Sequence, residues 1–142
     1  MKTMKIKLMM LAFTLIALAA CETEDNSAAP DTGTIVKNGK WKITLYNDSG
    51  KDETSTFTGY EFSFLELGTL KAVKSKTTVE GIWSSGTDDS QKKLIIDFGS
   101  KAPFDELNDD WHIMNETSTM MQLEDVSGGS GEIDLLTFEK VQ

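Results

Sequence analysis

Gly39-Lys40-Trp41-Lys42-Ile43-Thr44-Leu45-Tyr46-Asn47-Asp48-Ser49-Gly50 is the stretch that decides the fold class. Trp41, Ile43 and Leu45 alternate with Lys40, Lys42 and Thr44, a period of two that turns one face of a strand to a core and the other to water. Asn47-Asp48-Ser49-Gly50 closes the strand with residues suited to a turn. The same pattern recurs downstream. Phe57 to Phe64 sets Tyr60, Phe62 and Phe64 on one face, with a turn near Gly68. Leu70 to Lys74 and Thr77 to Ser84 pair across Ser75-Lys76, with Val79 and Trp83 on one face, and Gly86 to Ser90 follows as a loop. Lys93 to Phe98 alternates through Leu94, Ile96 and Phe98 and stops at Gly99. Trp111 to Met114, Thr119 to Leu123 and Ile133 to Glu139 complete eight predicted strands, the last two separated by Ser127-Gly128-Gly129-Ser130-Gly131. Only Ala102 to Asn108 reads as a helical turn, with Pro103 tolerated at its start and Phe104 and Leu107 three apart. Hairpin-length connections imply a meander, and eight short strands between Gly39 and Lys140 suit a closed up-and-down barrel without exposed edges. A small two-sheet sandwich is the alternative.

Upstream of this all-β domain the chain changes character. Lys2, Lys5 and Lys7 precede an apolar run from Leu8 to Leu18 broken only by Thr14. That run is about half the roughly 20 residues a spanning helix needs, so it reads as an export signal and not as a membrane anchor. Leu18-Ala19-Ala20-Cys21 resembles the lipobox of bacterial lipoproteins, which implies diacylglyceryl transfer to the Cys21 thiol and cleavage before it. The alternative is an ordinary signal with an incidental cysteine. Acyl chains contributing about 0.8 kcal/mol per buried methylene would hold such a protein on a membrane.

From Glu22 to Thr34 there is no large apolar residue, and residues 22–39 read as a flexible tether with a root-mean-square reach of roughly 23 Å. Glu22, Glu24 and Asp25 resemble the short acidic signal that sends some lipoproteins of the Bacteroidota to the cell surface; a merely solvated linker is the other reading. The expected organisation is a signal peptide over 1–20, a lipidated N-terminus and linker over 21–38, and a barrel over 39–142.

Charge and composition exclude whole classes of function. The 142 residues carry 14 Lys and no Arg against 23 acids; without the first twenty residues, eleven lysines face the same 23 acids, a net charge of −12. A surface that tracks phosphates needs clustered Lys and Arg, so no nucleic-acid partner is expected, and anionic lipid is disfavoured as a general partner. One Cys allows no intrachain disulfide, and one His gives no Cys/His zinc set. No nucleophile elbow, zinc-protease helix or phosphate loop occurs. His112 alternates with the inward candidates Trp111 and Ile113 and so faces water, without a nucleophile or orienting acid spaced to serve it. Asp88-Asp89, Asp109-Asp110 and Asp125 would supply oxygen ligands if gathered at one barrel end, but no alternating calcium-loop pattern is present. Neither an enzyme, a metal site nor a cofactor is expected, and the charge favours a monomer.

Gly39-Lys40-Trp41 opening the first strand matches the Gly-x-Trp start of lipocalins. With Gly81-x-Trp83 on the fourth strand, Trp111 opening the sixth and the closing Leu136-Thr137-Phe138-Glu139-Lys140, the order resembles the lipocalin-like lipoproteins of Bacteroidota. The resemblance implies an eight-stranded cup on an outer-membrane or cell-surface anchor, and it supplies no ligand. The disulfides and long loops of animal lipocalins are missing. The candidate cavity or core residues are Trp41, Tyr60, Phe62, Phe64, Trp83, Phe98, Trp111 and Phe138. A barrel of eight strands is just wide enough to be filled by such side chains or to hold one small ligand. Two functions follow: a lipid-anchored module that binds a small apolar or amphipathic molecule, or an interaction subunit that docks to another envelope protein. On this reading the mature protein begins at Cys21 and partitions with membranes, whereas Cys21→Ala stays full-length; intact mass showing another N-terminus, or no acyl mass on Cys21, would contradict it.

Overall fold

The computed structural model describes residues 31–126 and 129–142; the signal sequence, Cys21 and the acidic stretch after it lie outside the described residues. Alternating side chains become nine antiparallel strands: β1 (Trp41–Asp48), β2 (Lys51–Asp52), β3 (Glu61–Phe64), β4 (Thr69–Lys74), β5 (Thr77–Asp88), β6 (Gln91–Asp97), β7 (Asp109–Glu116), β8 (Met120–Val126) and β9 (Ile133–Lys140). From β3 to β9 each strand pairs with the next, and β9 returns onto β1 with Trp41 opposite Lys140 and Ile43 opposite Phe138. That return closes the sheet into the expected eight-strand meander barrel, β2 being a two-residue extension folded back on the end of β1. The seam between β1 and β3 is thin, carried by the single register pair Trp41 and Phe62.

Local chemistry sets the departures from simple alternation. A bulge between Ile43 and Leu45 shifts the register of β1 against β9. An extra residue in a strand reverses which side chains face inward, so Tyr46 is buried in the place expected of Leu45, which is left half-buried. The second strand begins at Glu61, four residues later than the aromatic pattern predicts, because Gly59 adopts φ +84° and turns the chain out of a 3-10 turn at Thr54–Phe57. The loop expected over residues 86–90 is mostly strand. β5 and β6 run to the tight connection Asp89-Ser90, both residues with positive φ as a two-residue hairpin demands. Gly81 on β5 is required by space: a Cβ there would lie 2.6 Å from the carbonyl oxygen of Asp97 and 2.7 Å from the Phe98 ring. The predicted helical turn is present as a 3-10 turn at Phe104–Leu107.

The larger correction concerns the linker. A short helix, α1 (Thr32–Lys37), lies across one end of the barrel, capped by the Asp31 carboxylate, which accepts from the Thr34 amide at 3.2 Å. Val36 is fully buried in the core, and Thr32 is buried with its hydroxyl donating to Glu116 at 2.7 Å. Residues 31–38 are therefore part of the packed domain and not free tether. Small residues made the segment look solvated, yet Thr32 and Gly33 are what lets a helix lie this close to the wall; a Cβ on Gly33 would come 3.1 Å from the Ser85 hydroxyl. At this end also lie the β3–β4 connection, the β5–β6 hairpin and the β7–β8 turn, while the 3-10 turns at Thr54–Phe57 and Phe104–Leu107 close the other.

A chain starting at Asp31 is expected to unfold at higher urea than one starting at Gly39. Trp41→Ala within it should cost about 3–5 kcal/mol; a loss under about 1 kcal/mol in the same melts would mean that the ring contributes little to the core.

Candidate functional site

The eight aromatics singled out by the sequence converge inside the barrel. Trp41, Phe62, Phe64, Phe98, Trp111 and Phe138 are fully buried, Trp83 is nearly so, and Tyr60 is partly buried at the β1–β3 seam. Three aromatics outside that set, Tyr46, Phe57 and Phe104, join them. The signal for Phe104 was its spacing from Leu107; Tyr46 was hidden by the β1 bulge, and Phe57 by its place before Gly59.

The rings touch in a continuous series along the barrel. Tyr46 meets Phe57 at 5.5 Å between centroids, Phe57 meets Phe104 at 5.6 Å, and Phe104 reaches Phe62 at 6.3 Å. Phe62 meets Phe138 at 5.3 Å, Phe138 meets Phe64 at 5.7 Å, and Phe64 meets Trp83 at 5.6 Å. Most of these contacts are edge-to-face, the arrangement that the ring quadrupoles favour, worth about 0.5–1.5 kcal/mol per pair beyond area burial. Tyr60 and Phe98 flank Phe104 at 4.9 and 5.0 Å.

Polar tips are equally accounted for. The indole N–H of Trp41 donates to the Val36 carbonyl at 2.8 Å, that of Trp111 to Leu107 at 3.0 Å, and that of Trp83 to Leu65 at 2.9 Å. The Tyr46 hydroxyl donates to the Glu106 carbonyl at 2.8 Å, and burial, helped by Asp48 and Glu106, raises its pKa above the ordinary tyrosine value. Among the described residues every buried side-chain nitrogen and oxygen has a hydrogen-bond partner, so no polar group of that kind waits in the interior for a ligand. The aromatic set is a packed core closed by α1 at one end and by the two 3-10 turns at the other. Outside the wall, beside Tyr60, a depression of about 270 Å³ is lined by Ile43, Thr58, Gly59, Tyr60 and Glu61 among others. Lys74 Nζ sits 5.3 Å from the Tyr60 ring centroid beside it. Larger depressions, of about 380 Å³ beside Thr119, Met120 and Lys140 and about 390 Å³ beside Glu80, Ile82, Asp97 and Lys101, reach the lower end of the roughly 300–1,000 Å³ of ordinary ligand pockets. Of the core aromatics only Phe98 borders either.

The paired acids separate. Asp109, Asp110 and Asp125 bring carboxylate oxygens within 4.8 Å of one another, whereas Asp88-Asp89 forms part of the hairpin at the α1 end. Burial first, and then Asp125 and Asp110 nearby, raise the pKa of Asp109, while the Lys93 ammonium, 2.6 Å away, lowers that of Asp110. His112 lies half-buried on β7, in register with Lys93 and Glu124.

No family model matches the chain, and no curated protein does. Among solved structures, the chain is similar to a DUF4847 family protein from Bacteroides vulgatus, with a TM-score of 0.53 and 15% identity over 78% of this chain and 98% of that one. At that identity the likeness is one of fold.

The acid trio generates a test with a definite sign. A carboxyl whose folded pKa is raised contributes stability below its unfolded pKa and loses it as pH rises through the folded value, so ionised Asp109 opposes folding at neutral pH. Asp109→Asn, which keeps the oxygen that accepts from the Asp110 amide at 2.7 Å, is expected to raise the urea midpoint at neutral pH. The gain should vanish once acid protonates the native carboxyl; urea melts showing an equal gain in acid would contradict the assignment.

Proposed function

We propose that this is a lipid-anchored envelope protein whose barrel works as an interaction module, engaging a protein partner at its surface in place of a small molecule in its interior. The observation that carries the reading is the filled interior: rings in contact from Tyr46 to Trp83, with both mouths occupied. A carrier of apolar ligands needs volume that these rings occupy. The anchor rests on Leu18-Ala19-Ala20-Cys21 and on the basic and apolar segments before it; the Bacteroides protein adds a likeness of fold alone.

The surface offers an apolar strip where the function would lie. Val126 and Ile133 face each other across β8 and β9, Leu135 follows on the same side of β9, and the three are 48%, 47% and 38% exposed. Glu124, opposite Leu135 and on the same face of the sheet, borders them. A partner with an apolar patch bordered by lysine or arginine would complement this strip.

Crosslinking in intact cells through Lys51 and Lys101 is expected to give one protein adduct that Ile133→Asp or Leu135→Asp abolishes while the circular dichroism is unchanged. Saturable single-site binding of an apolar dye to the native domain, or a small molecule retained in native mass spectrometry of the envelope isolate, would favour the ligand-carrying function instead.

A further inference from the structure

Charge is sorted along the barrel. Three ion pairs, Lys40–Glu61, Lys71–Glu80 and Lys93–Asp110, lie around the middle of the barrel. Outside these pairs, at the end away from α1, segments 47–55, 74–77, 97–109, 124–126 and 129–134 carry eleven carboxylates against four lysines. At the α1 end, segments 31–42, 65–70, 86–92, 115–120 and 139–142 carry six carboxylates against four lysines. Formal charge is thus −7 at one end and −2 at the other.

The less acidic end also presents an apolar side chain that the fold does not use. Leu67, in the connection between β3 and β4, is 102% exposed and sits at φ +61°. A leucine there is unfavourable twice over, by its exposure to water and by its left-handed backbone. Beside it, Leu65 is partly exposed, and Ile82, opposite Thr69 across β4 and β5, is largely so. The connection is tied to α1 by the Lys37–Glu66 ion pair at 3.0 Å. From Asp31, the cap of α1, the chain leads back to Cys21 through only ten residue steps, which span at most about 33–36 Å.

We infer that the α1 end faces the bilayer holding Cys21, and that Leu67 enters the headgroup layer of zwitterionic phospholipid while the acidic end points away. This rests on the lipid-anchor reading. The anchor supplies a high local concentration of bilayer, so a single leucine, too weak to recruit a protein from solution, suffices to bias the orientation of one already held there. Electrostatics acts in the same sense. Where anionic lipid is also present, the −7 end is repelled more strongly than the −2 end within a screening length of about 8 Å. The orientation also leaves Val126, Ile133 and Leu135 free for a partner.

The test uses the mature acylated chain, isotope-labelled, in nanodiscs of phosphatidylethanolamine and phosphatidylcholine doped with lipids that carry a nitroxide headgroup. Amides of residues 65–69 are expected to lose most of their intensity, while those of Phe104–Leu107 and Ile133 keep theirs. Leu67→Asp, whose side chain touches no core, should restore the loop to the far-end level. Equal broadening at both ends, stronger broadening at Phe104–Leu107, or an unbroadened loop overturns the inference. Intact mass separates the two levels: an unacylated Cys21 overturns the anchor reading together with this one, whereas an acylated chain with an unbroadened loop overturns the orientation alone.

Discussion

Three buried indole N–H groups set the terms on which this barrel closes. A tryptophan inside a core brings a large apolar surface together with one donor that must find an acceptor, or cost about 1–3 kcal/mol. In the wall of a β-barrel the strand carbonyls are committed to the ladder. The indoles reach instead for carbonyls in the segments that cross or border the ends: Trp41 for Val36 in α1, Trp111 for Leu107 in a 3-10 turn, Trp83 for Leu65 beside Leu67. Tyr46 does the same with Glu106. The closing segments are thus held by the residues that fill the core, and the barrel is sealed by the means that pack it.

The interaction function proposed for this barrel lies on its outside in consequence. Once ring contacts occupy the interior, chemistry is left to the outer faces and the two ends, and these differ. One end is the less acidic, with an exposed leucine and the exit of the chain toward Cys21; the other holds most of the net negative charge and a half-exposed strip of Val126, Ile133 and Leu135. If the module is tethered as proposed, its distinct near and far ends suit contact between a membrane and a partner better than carriage of a ligand.

Much of this was legible in the residues, and the gaps have physical causes. The eight aromatics and every long strand follow from period-two alternation, which reports burial wherever the pleat is regular. Leu45 and Tyr46 exchange places because a bulge adds a residue that no composition signals. Phe57 lies outside the second strand because Gly59 turns the backbone first. Thr32 and Gly33 look solvated in a stretch without bulk, and Val36 stands at the end of what reads as tether; all three are buried because a thin helix is what fits across the barrel mouth. Asp109, Asp110 and Asp125 meet through strand register, which brings residue 125 beside residues 109 and 110 although the chain separates them.

By itself the sequence determined the fold class, the meander and the aromatic composition of the core, because these depend on local alternation and turn residues that act over a few positions. It also carries a linear stretch, Leu18-Ala19-Ala20-Cys21, that resembles a lipobox, and the proposed anchor rests on that resemblance. Only the tertiary structure decided whether the aromatics line a cup or fill a barrel, since that depends on how far opposite walls stand apart and on what enters the two mouths. Only closure of β9 onto β1 sorted the charges by end. Along the chain acids and lysines are interspersed; antiparallel strands carry alternate loops to opposite ends, and the sum at each end exists only once the barrel has formed.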